Sequence, residues 1–252
     1  MIVKDISFSY GDHNVLNHVS FSVKEKKITT IMGANGCGKT TLFNVMTRNL
    51  KDKKGSITLK GKEIETYKLK EFAREVAIVH QYNTAWSDTT VEKLVSLGRV
   101  PYMKLGRGQT DEDESAVQWA MEVTGVKEYK DQPLDSLSGG QKQRAWIAMA
   151  IAQKTKILFL DEPTTYLDIR YQIEILHLIK KLNEEYGITI IMILHDINQA
   201  MMYSDYIIGL KDGQAMVQGV PKEALTKENI RMLYGVDLEV GEVNGKKVVL
   251  TA

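Results

Sequence analysis

The sequence predicts an α/β fold with a parallel sheet, an antiparallel β-lobe and an inserted helical subdomain. Residues 2–23 alternate between apolar and polar side chains, as in paired antiparallel strands. A short apolar segment, Ile28–Met32, leads into the glycine-rich run GANGCGKTT and then into a helical pattern. After Gln81 the pattern becomes mainly helical until about residue 150. Together these patterns indicate strands on both sides of a helical insertion.

The run GANGCGKTT matches the phosphate-binding pattern G-x-x-x-x-G-K-[ST] at every required position. Glycines let backbone N–H groups approach phosphate oxygens, and the following helix directs its positive end at the anion. Lys39 adds charge beside the terminal phosphates, and the Thr40 hydroxyl is placed to bind Mg²⁺. The alternative is a glycine-rich turn without function. We predict a P-loop nucleotide-binding core in which a nucleoside triphosphate is bound by Gly33, Asn35, Gly36, Cys37, Gly38, Lys39, Thr40 and Thr41.

Composition limits the classes of function. The chain has 252 residues, and its 33 basic and 32 acidic residues nearly cancel, so its charge does not favour nucleic acid as a partner. Its apolar stretches are shorter than the roughly 20 residues that a membrane helix needs, and no signal peptide is apparent. Cys37 is the only cysteine, which fits a reducing compartment such as the cytoplasm.

Further along the chain, short strands alternate with helices. Val76–Val79 and Ile157–Leu160 are apolar strands, and the strand, helix, strand order from residue 157 to residue 194 is typical of a parallel sheet. Asp212-Gly213 marks a tight turn between two strands. We predict one domain over residues 1–252, with a core of residues 1–82 and 151–252 and a helical subdomain of residues 83–150.

Within the predicted helical subdomain, Thr110 and Asp113 have the spacing of a capping box before a helix over residues 111–124. The acidic cluster at residues 111–114 is interpreted as a solvated first turn that suits the helix dipole. The alternative for this cluster is a metal site.

The apolar segment before Asp161 and Glu162 predicts a strand that ends in two carboxylates. A strand end near a phosphate loop is where Mg²⁺ is held and a water molecule is activated. Asp161 is the candidate for the metal shell, and Glu162 is the candidate base that orients or activates the attacking water. The alternative is an ordinary acidic pair on the surface.

The segment Leu137-Ser138-Gly139-Gly140-Gln141 precedes a predicted helix, so it is either a second phosphate-binding helix end or a glycine turn that caps a helix. LSGGQ after a phosphate loop and before an Asp-Glu strand resembles the ATP-binding cassette ATPases. The resemblance covers nearly the whole chain, with the motifs in the family's order. It implies that Ser138 and Gly140, with Gly139 and Gln141 beside them, meet the γ-phosphate of ATP held by the other subunit of a homodimer.

The same resemblance assigns roles to four further residues. Tyr10 stands where the family stacks an aromatic ring on adenine, and Gln81 stands where a glutamine contacts Mg²⁺ and water. Asp168 falls in the segment that crosses the dimer interface, and His195 falls where a histidine contacts the γ-phosphate. Taken singly, Tyr10 is better explained as a strand aromatic and His195 as a structural histidine.

A narrower resemblance rests on DEPTTYLDIRYQIEIL, LHDINQAMMYSDYII and LGRVPY, which are similar to segments of the importer ATPases for ferric siderophores, haem and cobalamin. It implies a peripheral protein on the cytoplasmic face of the cell membrane. Its partners would be a second copy of itself, transmembrane permease subunits and, indirectly, an external substrate-binding protein. The alternatives are a soluble cassette ATPase that acts as a switch in assembly or repair, and an exporter subunit.

Cys37 lies between two glycines of the phosphate loop and next but one to Lys39. The helix N-terminus and the lysine are expected to lower the pKa of the thiol and to make it reactive in the empty enzyme, with Mg-ATP as a shield. The alternative is a small residue tolerated for its size, with a buried and inert thiol.

Overall fold

The computed structural model describes residues 1–86, 88–104, 108–243 and 245–250. The chain forms two compact units, residues 1–66 with 189–252 and residues 67–188. The strands of the first unit are β1 (Ile2–Tyr10), β2 (His13–Ser22), β3 (Ile28–Met32), β4 (Lys54–Leu59), β5 (Lys62–Glu63), β8 (Thr189–Ile193), β9 (Tyr206–Lys211), β10 (Gln214–Gly219), β11 (Glu239–Val243) and β12 (Lys246–Leu250). Its helices are α1 (Lys39–Met46), α7 (Ile197–Tyr203), α8 (Pro221–Ala224) and α9 (Lys227–Tyr234).

The second unit has two strands, β6 (Val76–Val79) and β7 (Ile157–Leu160), within its described residues. Its helices are α2 (Leu69–Ala73), α3 (Val91–Leu97), α4 (Asp111–Thr124), α5 (Gly139–Ala152) and α6 (Ile169–Glu184). Short 3₁₀ turns occupy Ile64–Thr66, Lys127–Tyr129 and Leu134–Ser136.

The antiparallel β-lobe of the first unit has the strand order β2-β1-β4-β5. Its alternating sequence turns Ile6, Leu16 and Val19 inward, where each is 0% exposed. A two-residue turn joins β1 to β2, and Gly11 supplies its positive φ of 56°. The predicted hairpin-rich start of the chain is confirmed.

A second sheet in the first unit has the order β10-β9-β3-β8. β3 pairs in parallel with both β8 and β9, while β9 and β10 form an antiparallel hairpin. All five residues of β3 and of β8 are buried. Because both faces of these strands are covered, their sequences do not alternate with polar residues and are apolar apart from threonines. Asp212 and Gly213 both have positive φ at the predicted β9–β10 turn. The predicted α/β class is confirmed.

In the second unit, β6 and β7 pair in parallel, with Val79 opposite Leu160. Along the chain, α3, α4 and α5 lie between these two strands. The predicted helical character of this part of the sequence is therefore confirmed. No helix among the described residues is both long enough and apolar enough to span a bilayer.

The predicted solvated acidic turn at the start of α4 is wrong for one of its residues. Asp113 is 4% exposed, and its carboxylate accepts a hydrogen bond from Arg99 Nε at 2.7 Å. Arg99 is 1% exposed and also donates to the carbonyl of Ala152 at the end of α5. A buried guanidinium requires such partners. Asp113 therefore serves as a buried counter-charge as well as the predicted capping-box partner of Thr110.

Candidate functional site

The P-loop lies in the first unit, between the end of β3 and the start of α1. Gly33, Gly36 and Gly38 have φ values of 144°, 79° and 102°, which favour glycine. A Cβ on Gly33 would lie 2.2 Å from the Leu210 carbonyl oxygen, and one on Gly38 would lie 3.0 Å from that of Val15. A Cβ on Gly36 would meet nothing within 4 Å. The first and third glycines are thus required by the protein's own packing, and Gly36 leaves the loop open outward.

Lys39 curls back over the loop. Its side chain is 5% exposed, and Nζ donates to the carbonyls of Gly33 and Ala34 at 2.9 Å each. Thr40 is exposed on the first turn of α1, Thr41 is buried beside it, and Asn35 is exposed on the loop. Gly38, at the N-cap position of α1, makes no side-chain hydrogen bond to the helix. The first-turn N–H groups of a helix are the donors that an anion-binding helix end offers.

Cys37 does not have the predicted activated thiol. Its side chain is buried, and burial raises the pKa of the thiol, although Lys39 and backbone N–H groups act in the opposite direction. The Cys37 carbonyl accepts from the Gly213 N–H at 3.2 Å, which ties the loop to the β9–β10 turn. The alternative interpretation, a small buried residue, fits the structure.

Two further predicted residues lie in the first unit. Tyr10 ends β1, is 51% exposed and packs edge-on against Phe8 with ring centroids 5.0 Å apart. His195 follows β8 and is exposed. Because β3 and β8 pair in parallel with Ile31 opposite Ile193, His195 leaves the sheet at the same edge as Gly33.

The second unit brings Gln81 and Glu162 together because both residues leave its paired parallel strands at the same edge. Each follows its strand by two residues, and Val79 lies opposite Leu160. Gln81 Nε2 donates to Glu162 Oε2 at 2.6 Å. Asp161 is 5% exposed, and its N–H donates to the Val79 carbonyl at 2.9 Å.

The LSGGQ segment begins α5 in the second unit. Ser138 caps the helix: its hydroxyl accepts from the Gln141 N–H, and Gln141 Oε1 accepts from the Ser138 N–H at 2.8 Å. Gly140 is buried, and a Cβ there would lie 2.5 Å from the ring of Tyr171 on α6, whereas Gly139 is exposed. Packing against Tyr171 is therefore one physical reason for glycine at position 140.

Asp168 stands at the N-cap position of α6 and is exposed. Its carboxylate makes no capping hydrogen bond to the helix. An exposed carboxylate at this point can contact another molecule without first giving up a bond to its own helix.

The family model described as ABC transporter matches residues 16–165, which is more than half of the chain. The chain belongs to the ABC transporter family. It is an ABC ATPase and binds ATP.

Relatives of this ABC ATPase align along most of their length. It is 42% identical over 237 residues to the iron(3+)-hydroxamate import ATP-binding protein FhuC of Bacillus subtilis (strain 168), covering 94% of this chain and 88% of that protein. It is 43% identical over 233 residues to the ferric enterobactin transport ATP-binding protein FepC of Escherichia coli (strain K12), covering 92% of this chain and 86% of that protein.

Among solved structures, the chain resembles the dimeric post-hydrolysis state of the ATP-binding cassette MJ0796 bound to ADP and Pi. The TM-score is 0.75 at 27% identity, covering 87% of this chain and 98% of that chain. The fold of the ABC ATPase is thus the one that the sequence predicts.

Thr165 of this ABC ATPase is a candidate site residue that sequence reasoning missed. Its hydroxyl donates to Glu162 Oε2 at 3.0 Å, so the same oxygen accepts from Gln81 and from Thr165. Thr165 lies three residues after Glu162, and that spacing was the only available signal.

The candidate metal residues of the ABC ATPase fit Mg²⁺ by their chemistry. Thr40, Gln81 and Asp161 offer a hydroxyl, an amide and a carboxylate oxygen, the hard ligands that Mg²⁺ prefers. Within the described residues, no group of three or more His, Cys, Asp or Glu could hold a metal on its own.

Proposed function

We propose that this ABC ATPase powers the import of iron–siderophore complexes, or of haem or cobalamin, through a separate membrane permease. The observation that carries the proposal is the 42% and 43% identity, over 94% and 92% of the chain, to two ATP-binding proteins whose names assign them to ferric hydroxamate and ferric enterobactin transport.

In this proposal the P-loop holds the phosphates of ATP. Gly36 leaves space for them, and the first-turn N–H groups of α1 donate to them. Lys39 turns from the loop carbonyls to the terminal phosphates, where a charge-assisted bond replaces two bonds to neutral acceptors. Asn35, Cys37 and Thr41 complete the loop, and Tyr10 stacks on adenine.

Glu162 is the proposed base. Its Oε2 is fixed by Gln81 and Thr165, so the carboxylate is held in one orientation for a water molecule. His195 is proposed to contact the γ-phosphate. Mg²⁺, held by Thr40, Gln81 and Asp161, would neutralise charge on the phosphates.

We infer that the chain acts as a homodimer. Ser138, Gly139, Gly140 and Gln141 would meet the nucleotide held by the partner copy, and Asp168 would lie at the interface. The uncapped carboxylate of Asp168 and the exposed backbone of Gly139 support this assignment. The resemblance to a dimeric cassette bound to ADP and Pi also supports it.

The remaining partners follow from the import role. The permease subunits would place the ATPase at the cytoplasmic face of the membrane, and an external binding protein would deliver the substrate. We propose that residues 83–150 form the helical subdomain that docks on the permease, and that residues 1–82 and 151–252 form the core. We propose no nucleic-acid partner for this protein.

A soluble switch ATPase in assembly or repair is the competing class, and an exporter subunit is another. The two relatives described above are named for iron(3+)-hydroxamate import and for ferric enterobactin transport. That observation favours the importer over both.

The test is iron uptake in the source organism after deletion of the gene. Radio-iron is supplied as a ferric hydroxamate, as ferric enterobactin and as haem, and labelled cobalamin is supplied separately. We expect uptake of one class to be lost, and to return with the native gene but not with Glu162→Gln. Unchanged uptake of all four, with an active ATPase, would contradict the import role.

A further inference from the structure

Two tyrosines of the second unit meet beside the candidate base. Tyr82 directly follows Gln81 in the chain, and Tyr166 directly follows Thr165. Gln81 and Thr165 both donate hydrogen bonds to Glu162 Oε2. The hydroxyls of Tyr82 and Tyr166 lie 3.0 Å apart, and their ring centroids lie 6.3 Å apart. The same two segments of chain are therefore joined twice, once at the carboxylate and once at the phenols.

Burial does not hold these two tyrosines in place. Tyr82 is 71% exposed and Tyr166 is 81% exposed. A hydrogen bond between two groups that water can reach contributes little to stability, because it replaces bonds to water of similar strength. The stability of the fold thus depends little on the pair, and the contact between the phenols fixes their positions relative to each other.

The turn that carries Tyr166 has a strained backbone. Glu162 and Tyr166, at its two ends, have positive φ values of 50° and 63°. A residue with a large side chain adopts this left-handed conformation at an energetic cost, and it keeps the conformation where other contacts hold it. Within the turn, the Thr165 N–H donates to the Glu162 carbonyl at 3.2 Å, which is at the long end of the usual range. A hydrogen bond from Tyr166 to a second segment is a further contact that can hold the turn, and the Thr165 hydroxyl with it.

We propose that Tyr82 and Tyr166 are positioning residues for ATP hydrolysis: their hydrogen bond holds together the segments that follow β6 and β7. Gln81 and Thr165 then keep the Glu162 carboxylate in one orientation. The pair acts through these two neighbours. This role rests on the proposed function, because it requires Glu162 to be the base.

The experiment compares Tyr82→Phe, Tyr166→Phe and the double variant in the full chain, since each change removes one oxygen and keeps the ring. Each single variant is expected to lower kcat about three- to fivefold, with KM for Mg-ATP within about twofold and the urea midpoint unchanged. The double variant is expected to be no slower than either single variant, because both changes remove the same bond. Tyr186→Phe is the matched control, with native kcat expected: Tyr186 is an exposed tyrosine beyond the opposite end of α6, packed edge-on against Trp119.

A second background tests the route through Thr165. Thr165→Val already removes the hydroxyl that Tyr166 is proposed to position, so Tyr166→Phe is expected to lower kcat less than about twofold further there. Native kcat in both single variants, losses that multiply in the double variant, or a further loss in the Thr165→Val background as large as in the native one would each overturn the proposal.

The proposed function has its own readout. If the native chain does not hydrolyse ATP, or if Glu162→Gln hydrolyses it normally, the role of Glu162 as base fails. If Glu162→Gln is inactive while Tyr82→Phe and Tyr166→Phe are fully active, only the positioning role fails.

Discussion

Gln81 Nε2 lies 2.6 Å from Glu162 Oε2, although the two residues are 81 positions apart in the chain. The parallel register of β6 and β7 produces this contact, because each residue follows its strand by the same two positions. Thr165 donates to the same oxygen at 3.0 Å. The second unit therefore presents a carboxylate whose orientation is already fixed before any nucleotide arrives.

Glu162→Gln is expected to keep ATP binding and to lower kcat by about a hundredfold or more, since the amide keeps the shape but cannot accept a proton. ATP-analogue affinity and phosphate release measure the two effects. Glu184→Gln is the control, because Glu184 is an exposed residue of α6 paired with Lys180 at 3.7 Å. Near-normal turnover in Glu162→Gln would remove Glu162 from the role of base.

Thr165→Val is expected to lower kcat about five- to twentyfold with KM within about twofold, because a hydrogen bond to a charged acceptor is lost while nucleotide binding is untouched. Thr165→Ser keeps the hydroxyl and is expected to restore most of kcat. Steady-state kinetics of the three proteins checks the prediction. A Ser variant as slow as the Val variant would contradict the prediction, because Ser keeps the hydroxyl that donates to Glu162.

Local patterns predicted the elements well, because they depend on local physics. The strands Val76–Val79 and Ile157–Leu160 and the helix Asp111–Thr124 have the predicted bounds. The capping box of Thr110 is present, since its geometry is set by four consecutive residues. The contact between Gln81 and Glu162 depends on the register in which β6 pairs with β7. The sequence alone did not define that register.

The features that the sequence could not reveal depend on which side chains are buried. The charge pattern placed Asp113 in water, but it is buried in a hydrogen-bonded pair with Arg99, from the turn after α3. Proximity to Lys39 predicted an activated Cys37, but desolvation has the larger effect.

Asp113→Asn is expected to lower the free energy of unfolding at neutral pH by about 3 kcal/mol, because it leaves the Arg99 guanidinium buried without its counter-charge. Urea denaturation measures it. Glu112→Gln is the control, since that carboxylate is exposed and 3.9 Å from Arg99, and its loss should cost under about 0.5 kcal/mol. Equal effects of the two variants would contradict the buried-pair interpretation.

The same pair predicts a pH dependence. Burial would raise the pKa of Asp113, but hydrogen bonds from Arg99 and Thr110 and the charge of Arg99 lower it below its usual 3.8. The stabilisation by the carboxylate is therefore present above about pH 4 and is lost as pH falls through the lowered value. The stability difference between native protein and Asp113→Asn should shrink over that range.

Residues 83–150 are expected to carry the permease contacts. Their helices follow Gln81 directly, so a change at the bond between Gln81 and Glu162 can reach them through the chain. Photo-crosslinkers placed on the exposed side chains of Lys93 and Glu114, with Lys4 of the β-lobe as the control position, test this in membranes. Crosslinks that form only from residues 1–70 would contradict it.

Cys37 is expected to react slowly with iodoacetamide at pH 7, more slowly than glutathione. Burial both limits access to the sulfur and raises the pKa of the thiol, so the thiolate fraction at neutral pH is smaller than that of an ordinary cysteine. The rate should increase with pH through and beyond 9.0, the usual pKa of the thiol. Mass spectrometry follows the reaction without ambiguity, because Cys37 is the only cysteine of the chain. Mg-ATP is expected to slow labelling further by holding the P-loop closed over the sulfur. Fast labelling at pH 7 would contradict this prediction and would support the activated thiol that the sequence alone predicted.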